Sequence, residues 1–146
     1  MNRFAITLLC LLALPAVSAA AENPSIEPGQ WKVTSTTQVN GAISAPGVKT
    51  RCLTPEQAGD VGKTFGPAAN TVNSTCTPAE FETTGTQMKW HLQCKGQLDF
   101  DVWGDFNFDS PTHYTATVAS KGWMAGALIS DVKTELVGEH VGECQQ

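Results

Sequence analysis

The stretch Asp99–Asp109, "DFDVWGDFNFD", alternates apolar and polar residues with a period of two. Phe100, Val102, Phe106 and Phe108 occupy alternate positions, and most of the positions between them hold an aspartate or an asparagine. A period of two over this length is typical of an antiparallel strand with one buried and one solvated face. We therefore predict a strand whose phenylalanines lie in the core and whose aspartates face water.

Two residues in this stretch depart from the simple pattern. Gly104 takes a core-facing position, which predicts a bend or a bulge in the strand. Trp103 lies on the same face as the aspartates, where an indole ring is unusual. It either packs over a neighbouring strand or forms part of a contact with a ligand or a partner.

The clustered aspartates also raise two chemical alternatives, a calcium loop and the carboxylate pair of a hydrolase. An EF-hand loop that began at Asp105 would place Ser110 where glycine is required and Ala116 where a bidentate glutamate is required. The calcium alternative therefore fails. Asp99 and Asp101, about 6.6 Å apart on a strand, keep the hydrolase alternative open for the Asp99, Asp101 and Asp105 face. Their polar neighbours, however, provide no apolar pocket that would raise the pKa of a carboxyl group.

Short alternating segments of the same kind recur along the chain between turns rich in Gly, Pro, Asn and Thr. The inward positions of the other strands are Trp31, Val33, Ser35, Thr37, Val39, Tyr114, Ala116, Val118, Val132, Thr134 and Leu136. This spacing predicts an all-β fold. We expect a curved antiparallel meander of about seven strands, closed into a half-open barrel or a compact sandwich.

One segment carries a helical signal. Thr54 is a good N-cap residue, Pro55 suits the first helical position, and Gln57 completes a capping box. Gly59 and Gly62 follow closely. We therefore predict one short helix of one or two turns that packs at an edge of the sheet, followed by a loop.

A hairpin is predicted around Gly85-Thr86. A two-residue connection that begins with glycine is typical of a type II′ turn, and the turn determines the register of the two strands. Thr84 then faces Gln87, and Phe81 faces Trp90.

Four cysteines follow the first twenty-one residues, and the chain contains no C-x-x-C motif. One extra residue near Pro78 would bring Cys76 opposite Cys94 in the hairpin, which leaves Cys52 to pair with Cys144. The alternative pairs Cys52 with Cys76 and Cys94 with Cys144, because four cysteines allow three connectivities.

The N-terminus predicts export. Arg3 precedes the apolar run Phe4–Leu14, and small residues end at Ala21, which is the layout of a cleaved signal peptide. We expect residues 1–21 to be removed near Ala21, and residues 22–146 to form a single β-rich domain in the periplasm or outside the cell. Disulfides are common in such oxidising compartments.

Several functional classes receive no support from the sequence. After loss of the signal peptide, eight basic residues stand against fourteen acidic ones, a formal charge of −6 that disfavours nucleic acid as a partner. No later apolar run reaches the roughly 20 residues of a membrane span. The three histidines are not at metal-ligand spacing, and neither a Gly-rich phosphate loop nor a G-x-S-x-G motif occurs. We expect no cofactor and no metal. These absences argue against an enzyme without excluding one.

The connection "KGWMAGA", residues 121–127, is unusually apolar for a predicted loop. Trp123 and Met124 either fold back to cover one end of the sheet or contact a ligand or a partner. With Trp103, they are the candidate contact residues of the chain.

Combined landmarks run through most of the chain: Pro28-Gly29-x-Trp31, Cys52-Leu53-Thr54-Pro55-Glu56, Trp90-x-x-x-Cys94 and Gly138-x-x-x-Gly142-x-Cys144. In this combination the chain resembles the small exported proteins of Gram-negative bacteria that form the domain of unknown function 3617 family. The resemblance implies a periplasmic β-rich domain and brings no catalytic residues. The residues themselves favour a non-catalytic binding module for an apolar small molecule or a periplasmic partner protein. The alternatives are a hydrolase that uses the aspartate face and a structural envelope protein.

Overall fold

A computed structural model describes residues 23–68 and 74–145 of the chain. Its strands are β1 Gly29–Val39, β2 Ala42–Ile43, β3 Gly47–Leu53, β4 Ser74–Cys76, β5 Glu80–Thr84, β6 Gln87–Gly96, β7 Asp99–Ser110, β8 His113–Met124 and β9 Ala127–Gly142. Its helices are α1 Pro55–Gly59 and α2 Val61–Phe65. The predicted signal peptide, residues 1–21, lies outside the described residues.

The nine strands in the described ranges form a single open antiparallel sheet in the order β2-β1-β9-β8-β7-β6-β4. β3 also pairs with β1, and β5 also pairs with β6. The short strands β2 and β3 therefore share one edge position, and β4 and β5 share the other. The sheet is thus seven strands wide. The prediction of an all-β antiparallel meander is confirmed for β6 to β9, which are neighbours both in sequence and in the sheet.

The alternation in β7 has the predicted orientation. Phe106 and Phe108 are each only 3% exposed, whereas Asp105 and Asp109 are exposed to solvent. Phe100 is half-buried. One face of the sheet, called here the inner face, therefore carries the core, and the opposite face, called the outer face, carries the aspartates.

Of the bend or bulge predicted at Gly104, the bulge is absent. The pairing of β7 with β6 and with β8 continues through Gly104 without a shift of register. A Cβ atom at this position would overlap the indole ring of Trp90, which lies across it. The glycine therefore makes room for a neighbouring ring, and the Trp90 Nε1–H donates a hydrogen bond to the Phe65 carbonyl at 3.0 Å.

The described residues contain two short helices where the sequence predicted one. The capping box of α1 is present, since Gln57 N donates to Thr54 Oγ1 at 3.2 Å and Thr54 N donates to Gln57 Oε1 at 3.0 Å. A second helix, α2, extends into the segment after Gly62 that was predicted to be loop. Its N-cap is Asp60, whose side chain accepts a hydrogen bond from Lys63 N at 3.0 Å.

Helix α1 follows the edge strand β3 and contacts it, and α2 extends over the inner face. Phe65 of α2 is buried, with its ring centroid 5.5 Å from Phe106, 5.6 Å from Phe108 and 5.2 Å from Tyr114. The other members of this core are Ile26, Trp31, Leu53, Ala58, Val61, Met88, Trp90 and Ala116. Burial of this aromatic cluster provides the main apolar contribution to stability.

The predicted hairpin and disulfides are confirmed. Phe81 pairs with Trp90 across the turn, and Gly85 has the positive φ of 56° that a type II′ turn requires at its first position. The disulfides join Cys76 to Cys94 and Cys52 to Cys144. The first pair lies directly opposite within β4 and β6.

The "KGWMAGA" segment is not a loop, which corrects the prediction. β8 continues through Trp123 and Met124, and β9 begins at Ala127. Ala125 and Gly126 alone form the turn, with φ values of 49° and 80°. Two consecutive positive φ values are typical of a type I′ hairpin turn, whose twist matches that of the flanking strands.

Replacement of the N-cap of α1 tests the local contribution of the capping box. We expect Thr54→Ala to lower the free energy of unfolding by about 1 kcal/mol, because the Gln57 N–H loses its acceptor. Urea unfolding followed by far-UV circular dichroism measures the change. Thr54→Ser retains a hydroxyl acceptor and is expected to stay within about 0.5 kcal/mol of the wild type. Equal losses in both variants would contradict this role of the cap.

Candidate functional site

Ion pairs between neighbouring strands cover much of the outer face. Lys89 Nζ lies 3.1 Å from Asp105 Oδ2, and Lys95 Nζ lies 3.2 Å from Asp99 Oδ2. The Gly96 N–H and the Lys95 ammonium hold the pKa of Asp99 below its ordinary value. These are surface pairs in contact with water, which contribute little to stability.

An aromatic pair interrupts this charged face. His91 of β6 lies directly opposite Trp103 of β7 in the strand register. Their ring centroids are 5.1 Å apart and their planes differ by only 4°, so the two rings are stacked. Aromatic side chains at directly opposed positions of an antiparallel pair are close enough to contact each other, which stabilises the pair.

Asp101 lies beside the aromatic pair. Its Oδ1 is 3.6 Å from His91 Nε2, which is beyond hydrogen-bond distance. Both atoms are buried, and neither has a hydrogen-bond partner among the residues that the structure describes. Asp101 thus differs from Asp99 and Asp105, which each have a lysine partner.

A pocket of about 350 Å³ opens next to the stacked rings; it is called here the Trp103 pocket. Four neighbouring strands contribute its side chains, namely Glu80 and Glu82 of β5, Lys89 and His91 of β6, Trp103 and Asp105 of β7, and Thr117 and Ala119 of β8. Trp90 and Gly104 also line it.

The register of four strands explains why a pocket forms here. Trp90 and Gly104 belong to the inner face, so their backbone forms the floor of the pocket on the outer face. On the far side of β7, the small residues Ala119 and Thr117 lie opposite Trp103 and Asp105. Larger side chains at these two positions would fill the space beside the indole ring.

Comparison with known families identifies the chain. The family described as "Protein of unknown function (DUF3617)" matches residues 26–144, which is most of the sequence. The chain belongs to this family. No curated protein and no solved structure matches this DUF3617 protein.

The three candidate contact residues of this DUF3617 protein do not form one site. Trp103 lines the pocket. Trp123 pairs with Asp99 and therefore lies on the outer face, two positions beyond Lys121 and away from the Trp103 pocket. Met124 follows it on the opposite face and is 53% exposed.

The inner face of the DUF3617 chain offers a second, less defined surface. It is densely packed around Phe65, whereas Phe100 and Val132 are half-buried farther along the same face. Val39 and Met124 are 46% and 53% exposed at this end of the sheet. The same face also carries hydroxyl groups, among them those of Thr37 and Thr134, which hydrogen-bond to each other at 3.1 Å.

Two further features bear on function. No group of three or more His, Cys, Asp or Glu side chains within residues 23–68 and 74–145 is arranged to hold a metal ion. In the same part of the DUF3617 chain, no helix is long and apolar enough to cross a membrane.

Sequence reasoning identified Trp103 but missed most of its surroundings. His91, Glu80 and Glu82 were not predicted to take part in a site, and the structure brings them to the same pocket. One signal was present in the sequence, since the register of the predicted hairpin places Glu80 opposite His91. The partner on the other side of His91 depends on the β6–β7 register, which no turn motif specifies.

Proposed function

We propose that this DUF3617 protein is an exported, non-catalytic binding module that holds a small molecule with an apolar body beside Trp103. The observation that carries the proposal is the Trp103 pocket, an aromatic-walled pocket of about 350 Å³ on a face that also carries cross-strand ion pairs. Its size falls within the ordinary range of small-molecule sites, and its mixture of an aromatic wall with a few polar groups is typical of them.

The rigidity of the site supports this proposal. Each side chain of the pocket lies on a strand that is paired with its neighbour, and the stack with His91 limits the orientations of the indole ring. A preformed site loses little conformational entropy when a ligand binds. The half-buried indole also gains apolar contact when a ligand covers its remaining exposed surface.

Export to the periplasm is part of the proposal. The predicted signal peptide, residues 1–21, supports it, and so do the two disulfides, which persist in oxidising compartments and are rare in the cytosol. The region that follows, residues 22–146, is proposed to act as one domain.

The arrangement of the aspartates favours binding over hydrolysis. Asp99 and Asp105 are each paired with a lysine, and Asp101 faces His91. A hydrolytic carboxylate pair requires one carboxyl with a raised pKa, but the pKa of Asp99 is lowered by the Gly96 N–H and by Lys95.

A fragment screen by protein-observed NMR tests the proposed site. Soluble aromatic and aliphatic fragments are expected to shift the Trp103 indole resonance and the amides of the four strands around the pocket. Trp103→Ala should weaken the binding of these fragments at least about tenfold, the effect of losing about 1.4 kcal/mol of contact. Trp123→Ala is the matched control, because Trp123 is another half-buried tryptophan of the outer face that does not line the pocket. Its fragment affinities should equal those of the wild type.

Two results would contradict the proposal. If the fragment shifts cluster around Phe100 and Met124, the inner face is the binding surface and the Trp103 pocket is not. If no fragment binds, the alternative of a structural envelope protein gains support.

A further inference from the structure

We infer that a groove along β8 on the outer face binds a neutral oligosaccharide. This inference rests on the proposed function, because the Trp103 pocket forms one end of the groove. The register of three strands, the free face of the indole ring and the balanced charge of the groove each support it.

A second pocket, of about 360 Å³, lies next to the Trp103 pocket on the outer face. Asp105 and Thr117 line both pockets, so the two are continuous. The second pocket adds side chains from β7, β8 and β9, namely Asn107, Thr115, Glu135 and Val137. The two pockets together are called here the β8 groove.

The strand register explains the shape of the β8 groove. Its floor consists of the small outer side chains of β8, namely Ala119, Thr117 and Thr115. Its walls consist of their register partners, namely Trp103, Asp105 and Asn107 of β7 and Lys133, Glu135 and Val137 of β9. The floor spans four residues of strand, about 13 Å, a length that several linked sugar rings cover and a single ring does not.

The indole of Trp103 has one face available to a ligand. His91 of β6 covers the other face, since the two ring planes differ by only 4°. The available face is therefore turned to the side of β8, where Ala119 is the register partner and has only a methyl group. Because the face of an indole carries negative electrostatic potential, it packs well against the weakly positive C–H groups of a sugar ring. This side of the sugar is the apolar body that the proposed function requires.

The charged groups of the β8 groove are already balanced in pairs. Lys89 Nζ lies 3.1 Å from Asp105 Oδ2, and Lys133 Nζ lies 2.8 Å from Glu135 Oε1. The hydrogen bond from Lys133 and its positive charge hold the pKa of Glu135 below its ordinary value. An ionic ligand would have to compete with these pairs, whereas a neutral ligand leaves them intact. The second oxygen of each carboxylate still accepts hydrogen bonds from ligand hydroxyls.

The remaining polar groups suit a ligand with many hydroxyls. Asn107 Oδ1 accepts a hydrogen bond from Thr86 Oγ1 at 3.3 Å, which leaves the Asn107 NH₂ group as a donor. Within residues 23–68 and 74–145, the side chains of Thr115 and Thr117 have no hydrogen-bond partner. Each of these hydroxyls both donates and accepts, as sugar hydroxyls do. An alkyl chain in the groove would displace water from these groups without replacing its hydrogen bonds.

NMR titration of the full mature protein with cellotriose, maltotriose and N-acetylchitotriose tests the inference. At least one of these trisaccharides is expected to shift amides of β7, β8 and β9. It should bind at least about tenfold more tightly than glucose, because a single ring fills only part of the groove. Raising NaCl from about 20 mM to about 500 mM should leave this affinity unchanged, because the ligand carries no charge for salt to screen.

Two variants locate the binding. Thr117→Leu fills the floor of the groove and should weaken trisaccharide binding at least about tenfold. Thr50→Leu is the matched control, because Thr50 is a threonine of the outer face on β3 that lines neither pocket. Asn107→Ala removes one donor and should weaken trisaccharide binding several-fold. It should leave the binding of aromatic fragments beside Trp103 unchanged, since Asn107 does not line that pocket.

The outcomes separate this inference from the proposed function. If aromatic fragments bind beside Trp103 but no trisaccharide binds at about 10 mM, the oligosaccharide inference is wrong and the pocket stands as a binding site. If neither fragments nor trisaccharides bind, both are wrong. Equal affinity for glucose and the trisaccharides would overturn the inference. Equal effects of Thr117→Leu and Thr50→Leu would also overturn it, because contacts outside the groove would then explain the binding.

Discussion

Removal of the Cys52–Cys144 disulfide by Cys52→Ala with Cys144→Ala is expected to lower the free energy of unfolding by about 4.5 kcal/mol. The bond joins residues 92 positions apart, so it restricts a large part of the unfolded chain. It also connects β3 to the segment that follows β9, and β3 and β9 pair with β1 on opposite sides. Since small proteins are stable by only about 5–15 kcal/mol, this variant is expected to unfold at much lower urea concentration.

The second disulfide is the matched comparison. Cys76 and Cys94 are 18 residues apart, and the same chain-entropy relation predicts a loss of about 3 kcal/mol for Cys76→Ala with Cys94→Ala. Urea unfolding under non-reducing conditions, followed by far-UV circular dichroism, ranks the two variants. A smaller loss for the Cys52–Cys144 variant would contradict an effect that acts through the unfolded chain.

Local sequence patterns predicted much of the fold because they act between near neighbours. The alternation in β7 and the type II′ turn at Gly85 each depend on a few consecutive residues, and both are present in the structure. The hairpin register followed from the turn, and the position of Cys76 opposite Cys94 followed from that register together with one extra residue near Pro78. In each case a short-range rule determined a specific contact.

Long-range pairing was not accessible in the same way. β1 pairs with β9, although Val33 and Gly138 are separated by most of the chain. Helix α2 was missed because its cap, Asp60, follows a short glycine-interrupted segment, and its burial depends on contacts of Phe65 with distant strands. The extension of the helical segment over the inner face was not predicted for the same reason, since it depends on the contacts of Phe65 with aromatic rings on β7 and β8.

The candidate site was predicted only in part. Trp103 was conspicuous because an indole on an aspartate-bearing face breaks the alternation of polar residues. The pocket itself requires four strands in register, and the small residues Thr117 and Ala119 become meaningful only once they lie opposite Asp105 and Trp103. The pocket is thus formed by residues of common types. Its position depends on how four strands pair, which local sequence patterns do not specify.

Trp31→Ala is expected to lower the free energy of unfolding by about 3–5 kcal/mol, the usual loss for truncation of a buried aromatic residue. Trp31 is fully buried, and its ring centroid lies 5.6 Å from both Tyr114 and His140. Its Nε1–H donates a hydrogen bond at 3.0 Å to the carbonyl of Glu27, which anchors the segment before β1. Truncation would leave a cavity on the inner face beside Tyr114, where β1 pairs with β9.

Two further variants distinguish the loss of ring packing at Trp31 from the loss of its hydrogen bond and from the general effect of removing a tryptophan. Trp31→Phe keeps most of the ring contacts but loses the donor, and it should lower the free energy of unfolding by about 1–2 kcal/mol. Trp103→Ala removes a half-buried indole from the outer face and should lower the free energy of unfolding by less than about 2 kcal/mol. Urea unfolding measures all three variants. If Trp31→Ala and Trp103→Ala proved equally destabilising, the assignment of the core to the inner face would be wrong, because the two tryptophans project from opposite faces of one sheet.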